Sequence, residues 1–276
     1  MTSPNNIILV PTDLSDQTLT AISQSFNLAR FSNAKLMLMH VDDGSVEKIK
    51  EKMDDLVERV KVKSGLEVDY TVVKGGNVCK VVLKAAGDLN VKMIIMGLSS
   101  NLTYMDKVIG FNALRLVRLA PCPVVTIRGK KHTEGCKNIL LPLDLSKQTR
   151  EKVTKAIELA KYFGSVIRIV SILTSTDERE ENKLISYGNQ AKTFIKSNGV
   201  KCTLKTLRGK DIANLVMQYA NEVHADLIML MTQQELNIKE LFIGTQAQRI
   251  IASSNIPVLS IVPIKRKDTT VATSPY

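Results

Sequence analysis

The chain has 276 residues, 44% hydrophobic and 24% charged, with a net charge of +11. That length suits two domains of ordinary size, and with no Trp and 4% aromatics the cores must rest on Ile, Val, Leu, Ala and Met. No apolar run approaches the ~20 residues of a membrane span, and no charged region followed by an apolar one opens the chain, so a cytoplasmic location is expected.

Ile7–Pro11 is a near-continuous apolar run, the pattern of a strand buried on both faces. Ser15 and Asp16 then stand where a helix cap belongs. Leu19, Ile22, Phe26 and Ala29 follow at helical spacing, which predicts a helix through about Ser32. Leu36–Val41 reads as the second strand. Ser45–Val60 reads as an amphipathic helix, with Val46, Ile49, Met53, Val57 and Val60 on one face and Asp55 four residues before Arg59. Leu66–Val73 alternates as a strand, and Asn77 caps a helix to about Leu89. Met93–Met96 is the fourth strand, Val108–Leu119 a helix and Val124–Ile127 the last strand.

The chain then repeats itself. Ile7-Ile-Leu-Val-Pro-Thr-Asp-Leu-Ser15 returns as Asn138-Ile-Leu-Leu-Pro-Leu-Asp-Leu-Ser146, and Leu28-Ala-Arg-Phe31 as Leu159-Ala-Lys-Tyr162, both at an offset of 131 (142 minus 11 for Pro11 and Pro142). Further on the offset is 134: Gly75 falls on Gly209, Gly110 on Gly244 and Pro123 on Pro257. One unit is used twice, with three extra residues in the second copy. The polar stretch Gly129-Lys-Lys-His-Thr-Glu-Gly-Cys136 separates the copies, giving a first domain at 1–129 and a second at 136–264. Residues 265–276, rich in Thr, Ser and Pro, read as a disordered tail.

Strands separated by helices imply parallel pairing, because parallel neighbours need crossover connections. The predicted architecture is α/β, with two tandem doubly wound, five-stranded, mostly parallel sheets and helices on both faces. Ligands bind such sheets beyond the carboxyl ends of the strands, where the strand order reverses. Pro11–Asp13, Val41–Asp43 and Gly97–Ser100 thus surround one crevice, and Pro142–Asp144, Ile172–Thr174 and Met231–Gln234 the other.

An opening strand ending in Pro-x-Asp-x-Ser resembles the universal stress protein family. So do a fourth strand followed by a glycine, a long loop to a second glycine, and a last strand introduced by Cys-Pro-Val. The resemblance covers almost the whole chain, twice, as in tandem members of the family. It implies a Rossmann-like fold of the adenine-nucleotide alpha-hydrolase type. Family members that bind ATP carry Gly-x-x-Gly, nine residues, then Gly followed by Ser or Thr. The glycines let backbone approach the phosphates, and the following helix N-terminus supplies N–H donors.

The first copy reads Gly97-Leu-Ser-Ser100, nine residues, then Gly110-Phe111; the second reads Met231-Thr-Gln-Gln234, nine residues, then Gly244-Thr245. The first keeps both outer glycines and replaces the middle glycine by Ser100 and the closing hydroxyl by Phe111. On this resemblance an adenine nucleotide in the first domain would rest on Pro11, Thr12, Asp13 and Val41, with Gly97, Ser99, Ser100, Gly110 and Asn112 at its phosphates. Asp13 would accept from the adenine amino group; Asp144 remains in the second copy, where an aspartate also has a structural role open to it, capping the turn into the helix that follows.

Two functions follow from the resemblance. One is a regulatory or scaffold protein of the stress response, acting through contacts with other proteins, its copies packed as an internal pseudo-dimer whose final strands, Val124–Ile127 and Val258–Val262, meet. The alternative is a sensor that binds ATP or a related adenine nucleotide in the first crevice. A dedicated enzyme is not expected, because there is no Walker loop, no Ser-Gly-Gly loop after the first strand, and no grouping of His40, His132 or His224 with a nucleophile.

The basic clusters Arg128, Lys130, Lys131, Lys137 and Lys265, Arg266, Lys267 lack interleaved aromatics. They read as a solvated linker and tail, not as a nucleic-acid surface. Cys79, Cys122, Cys136 and Cys202 form no metal-ligand spacing, and Cys79 and Cys122 read as buried thiols. Met37, Met39, Met93 and Met96 read as core. Lys74-Gly-Gly and Arg208-Gly-Lys read as turns, with an anion beside the basic residue as the minority reading.

Overall fold

A computed structural model of the chain describes residues 5–42, 46–98, 111–129, 136–143, 149–231 and 245–261. The first half runs β1 (Asn5–Pro11), α1 (Asp16–Ser32), β2 (Lys35–Asp42), α2 (Val46–Ser64), β3 (Val68–Lys74), α3 (Val78–Asp88), β4 (Val91–Gly97), α4 (Phe111–Leu119) and β5 (Val124–Ile127). The second half repeats it as β6 (Asn138–Leu143), α5 (Thr149–Phe163), β7 (Val166–Leu173), α6 (Glu178–Ser197), β8 (Cys202–Arg208), α7 (Ile212–Glu222), β9 (Leu227–Met231), α8 (Thr245–Ser253) and β10 (Val258–Ile261). From β7 to β8 the offset between copies grows from 131 (173 minus 42) to 134 (202 minus 68), so the three extra residues lie in and around α6.

The ten strands form one sheet of order β3-β2-β1-β4-β5-β10-β9-β6-β7-β8. Each half is a five-stranded parallel sheet, as predicted, and the two are joined edge to edge by the antiparallel pair β5 and β10. At that seam Val124 faces Ser260, Val125 faces Leu259 and Thr126 faces Val258. Under the repeat offset of 134, Val124 becomes Val258 and Thr126 becomes Ser260, so the outer pairs exchange and the middle pair maps onto itself. A pseudo-two-fold axis therefore passes between Val125 and Leu259, the self-complementary geometry of a dimer built into one chain. The aromatic rings of Phe31 and Tyr162, equivalent residues of α1 and α5, meet edge to face at 4.9 Å on the same axis.

Alternation along the strands feeds two cores, one on each face of the sheet. Ile8 and Val10 enter one and Ile7 and Leu9 the other, and both cores contain residues of both halves. At roughly 1.5–3 kcal/mol for each fully buried aliphatic side chain, this shared burial binds the halves into one unit. Met39 is fully buried, while Met37, Met93 and Met96 are half-buried against the cores.

Helix ends show where local sequence was a good guide. Asn77 caps α3 as predicted, its side chain accepting from the Lys80 N–H. Ser15 occupies the N-cap of α1 as predicted but makes no side-chain cap bond, while Asp13, two residues upstream, accepts from the Ser15 N–H and the Thr18 hydroxyl. Helix α2 runs past the predicted Val60 to Ser64, through a Val62 that is 78% exposed, and ends where Gly65 turns left-handed at φ +66. Residues 108–110 of the predicted fourth helix, the linker at 130–135 and the tail at 265–276 lie outside the described residues.

Candidate functional site

In the first half the strand order reverses between β1 and β4, which puts the carboxyl ends of β1, β2 and β4 around one crevice. The chain leaves β1 through a polar turn. The Thr12 N–H donates to Met39 O at 2.8 Å, and His40 Nδ1 lies 2.8 Å from the Thr12 carbonyl. Thr12 Oγ1 accepts from the Leu14 N–H at 3.0 Å, steadying Leu14 at φ +64, a conformation that is strained for a residue with a side chain.

Asp13 Oδ1 accepts from the Ser15 N–H at 2.9 Å and from the Thr18 hydroxyl at 3.0 Å. Partial burial would raise the Asp13 carboxyl, but hydrogen bonds from Ser15 and Thr18 together outweigh it and hold the group below its ordinary value. Asp13 is therefore an ionised carboxylate, exposed at the crevice, with Oδ1 committed to the turn. Val41 stands half-buried at the end of β2, beside Val73 of β3.

Gly97 ends β4, and its contacts explain why it is a glycine. A Cβ there would lie 2.8 Å from the Gln17 carbonyl oxygen, in the first turn of α1. The Gln17 side chain, 8% exposed, donates from Nε2 to Ile127 O at 3.2 Å and to Gly129 O at 3.1 Å. Helix α1 is thereby clamped over the ends of β4 and β5, and Gly97 serves that approach. Ser99, Ser100 and Gly110 lie outside the described residues, and Asn112 belongs to the first turn of α4. The structure thus groups Pro11, Thr12, Asp13, Val41 and Gly97 at one end of the sheet.

The second half reverses between β6 and β9, and here a cavity of about 470 Å³ opens. Leu143, Ile172, Leu230 and Met231 line it from the strand ends, with Val216 of α7 and Ile250 of α8 beside them. Met231, 9% exposed, occupies the position of Gly97 (97 plus 134). Lys152 of α5 is 3% exposed and donates from Nζ to Pro142 O at 2.6 Å. Its repeat equivalent is Ala21 (21 plus 131), so a lysine at the place of a buried alanine was the signal that sequence reading missed.

Arg208, at the end of β8, takes the carboxylate of Glu181 in the first turn of α6 through two hydrogen bonds, Nη2 to Oε2 at 2.8 Å. The Arg208 hydrogen bond holds Glu181 below its ordinary value, and the same bond raises Arg208. The basic residue after the third strand therefore has a carboxylate partner inside the chain. On the far wall, the Gln246 side chain accepts from the Ala213 N–H at 3.3 Å and ties α8 to α7.

All four cysteines are buried and unpaired, and burial pushes Cys122 and Cys136 up to about 12. Among the described residues no three His, Cys, Asp or Glu side chains group to hold a metal ion. Among them, too, no helix is long and apolar enough to cross a membrane.

A family model described as the universal stress protein family matches residues 4–128 and again 135–261. The chain belongs to the universal stress protein family. It is 26% identical over 145 residues to a universal stress protein of Methanocaldococcus jannaschii, a match covering 48% of this chain and 85% of that one. A universal stress protein from Archaeoglobus fulgidus superposes with a TM-score of 0.77 at 16% identity, covering 94% of this chain and 98% of its own. A functionally unknown protein from Pseudomonas aeruginosa gives 0.75 at 17%, covering 94% and 93%. At such identities the likeness shows the fold, and the two family matches show that the universal stress unit occurs here in tandem.

Proposed function

We propose that this universal stress protein is a cytoplasmic, non-catalytic regulatory protein that acts through contacts with other proteins, and that its second-half crevice is the small-molecule site biasing those contacts. The observation that carries the reading is the asymmetry at the end of the fourth strand. Helix α1 lies against Gly97 in the first half, and a cavity opens beside Met231 in the second. Absence of catalysis is supported by the engagement of His40 with a backbone carbonyl, by His224 standing on an exposed turn, and by thiols that burial keeps protonated. Incubation of the purified chain with ATP should release neither phosphate nor pyrophosphate above the buffer rate. Mass spectrometry of small molecules freed from fresh protein should recover a ligand that the Val216→Phe variant no longer retains. Nucleotide turnover abolished by that substitution would overturn the reading.

A second reading keeps the first crevice as an adenine-nucleotide site, favoured by the exposed, ionised Asp13, which can accept from an exocyclic amine. Titration with labelled ATP distinguishes the two. Saturable binding lost in Asp13→Ala supports the nucleotide sensor, and no saturation at near-millimolar ATP removes it.

A further inference from the structure

The wall of the second-half cavity is apolar where it is deep, and its inner charges are already committed. Leu143, Ile172, Leu230 and Met231 offer aliphatic surface and a thioether at the strand ends. The Lys152 ammonium, on a side chain 3% exposed, donates to the Pro142 carbonyl and is engaged in a further interaction. Glu181 is held by Arg208. Glu180, exposed at the rim, adds a further negative charge. Among the described residues, the polar side-chain groups that remain on this wall are neutral: the Thr174, Ser175 and Thr245 hydroxyls and the Gln246 amide nitrogen.

A polyphosphate entering such a wall would lose water and meet no uncommitted cation among the described residues, and a buried charge without a partner is strongly disfavoured. An apolar body gains by the same burial, and a cavity of about 470 Å³ is in the size range of small-molecule sites. We propose that this cavity binds a neutral, largely apolar small molecule with one hydrogen-bonding end, and that it discriminates against anions. The proposal rests on the second-half crevice being the ligand-binding half, as set out above.

The test uses two dyes with a common aryl body. N-phenyl-1-naphthylamine is neutral, and 8-anilinonaphthalene-1-sulfonate adds one negative charge. With no Trp in the chain, their emission is read against a clear background. Titration of the full chain should give one neutral dye bound per chain, with the sulfonate weaker by at least about tenfold, a difference of ~1.4 kcal/mol. Millimolar ATP should not displace the neutral dye.

Ala247→Phe and Val216→Phe, which fill the cavity, should each abolish binding while the far-UV circular dichroism is unchanged. In wild-type protein labelled at its methionine methyl groups, the Met231 resonance should shift on dye addition, a readout independent of any substitution. Equal or tighter binding of the sulfonate, or displacement by ATP, would overturn the ligand class while leaving the crevice as a binding site. Failure of the neutral dye to bind, several dyes per chain, or binding indifferent to both variants with an unmoved Met231 signal would overturn the site itself.

Discussion

The two halves share strand order and parallel pairing, and differ around α6, at Ala21 and Lys152, and at the end of the fourth strand. The last residue of the fourth strand is Gly97 in one half and Met231 in the other. Without a Cβ, Gly97 lets the Gln17 carbonyl come within what would be 2.8 Å of a side chain. With a long thioether, Met231 supplies one wall of a cavity. The same position of a duplicated fold thus meets a helix in one copy and borders a cavity in the other. The difference also shows that a glycine in register with a phosphate loop can be held there by a helix.

The comparison presumes that the halves form one unit, and the largest predicted effect comes from breaking the seam. Val125 is 1% exposed, on a strand covered on both faces, directly opposite Leu259. Val125→Asp puts a carboxylate there with no partner, at a cost of about 3–5 kcal/mol, a large share of the ~5–15 kcal/mol of a typical domain. Because the axis passes between the two residues, Leu259→Asp should cost the same to within about 1 kcal/mol. Urea unfolding followed by circular dichroism measures both. A neutral Val125→Asp would contradict the seam, and a wide difference between the variants would contradict its symmetry.

Next comes the switch point. Gly97→Ala forces Cβ against backbone, not against the yielding end of a side chain, so α1 must move; the expected loss is about 1–3 kcal/mol. Full stability in this variant would show that α1 does not lie against β4 as described. A smaller effect belongs to Gln17→Leu. It removes donors from Ile127 O and Gly129 O, but Ile127 O keeps the Leu98 N–H at 2.7 Å, and the Gln17 Oε1 that goes with it is buried with no partner among the described residues. The net loss should be about 1 kcal/mol, read from the same unfolding curves.

Which of these features the sequence disclosed follows from how far each signal reaches. Val124–Ile127 is a strand in the structure with the predicted bounds, because Pro123 stops the preceding turn and four β-branched residues, three of them apolar, follow. The two crevices were legible because Pro-x-Asp-x-Ser recurs with its spacing, and spacing survives the loss of individual loop residues. Gly97's contact was not, since it joins residues eighty apart (97 minus 17) through a backbone carbonyl that leaves no mark on composition. Ser15 stands at the N-cap as its sequence position indicates, but beside Leu14 at φ +64 it is the Asp13 carboxylate, not the serine hydroxyl, that takes the side-chain bonds, from the Ser15 N–H and the Thr18 hydroxyl. The cavity depends on how α6, α7 and α8 pack on the strand ends, which periodicity alone does not specify. Of the phosphate-side residues, Ser99, Ser100 and Gly110 lie outside the described residues.

The smallest predicted effect concerns what Asp13 does in the first half. Its carboxyl is held below its unfolded value, so the stabilisation it brings is present above that value, near 3.9 for an aspartate, and is lost as pH falls through the lower folded value. Because the side chain is exposed, solvent screening keeps the contribution below about 1 kcal/mol. Asp13→Asn keeps an acceptor for the Ser15 N–H but has no charge to lose. Between pH 7 and pH 3 the wild type should therefore lose slightly more unfolding free energy than the variant. An identical pH dependence would detach Asp13 from the turn and leave its carboxylate available to a ligand. The predicted dependence, unaltered by added ATP, would assign that carboxylate to the turn.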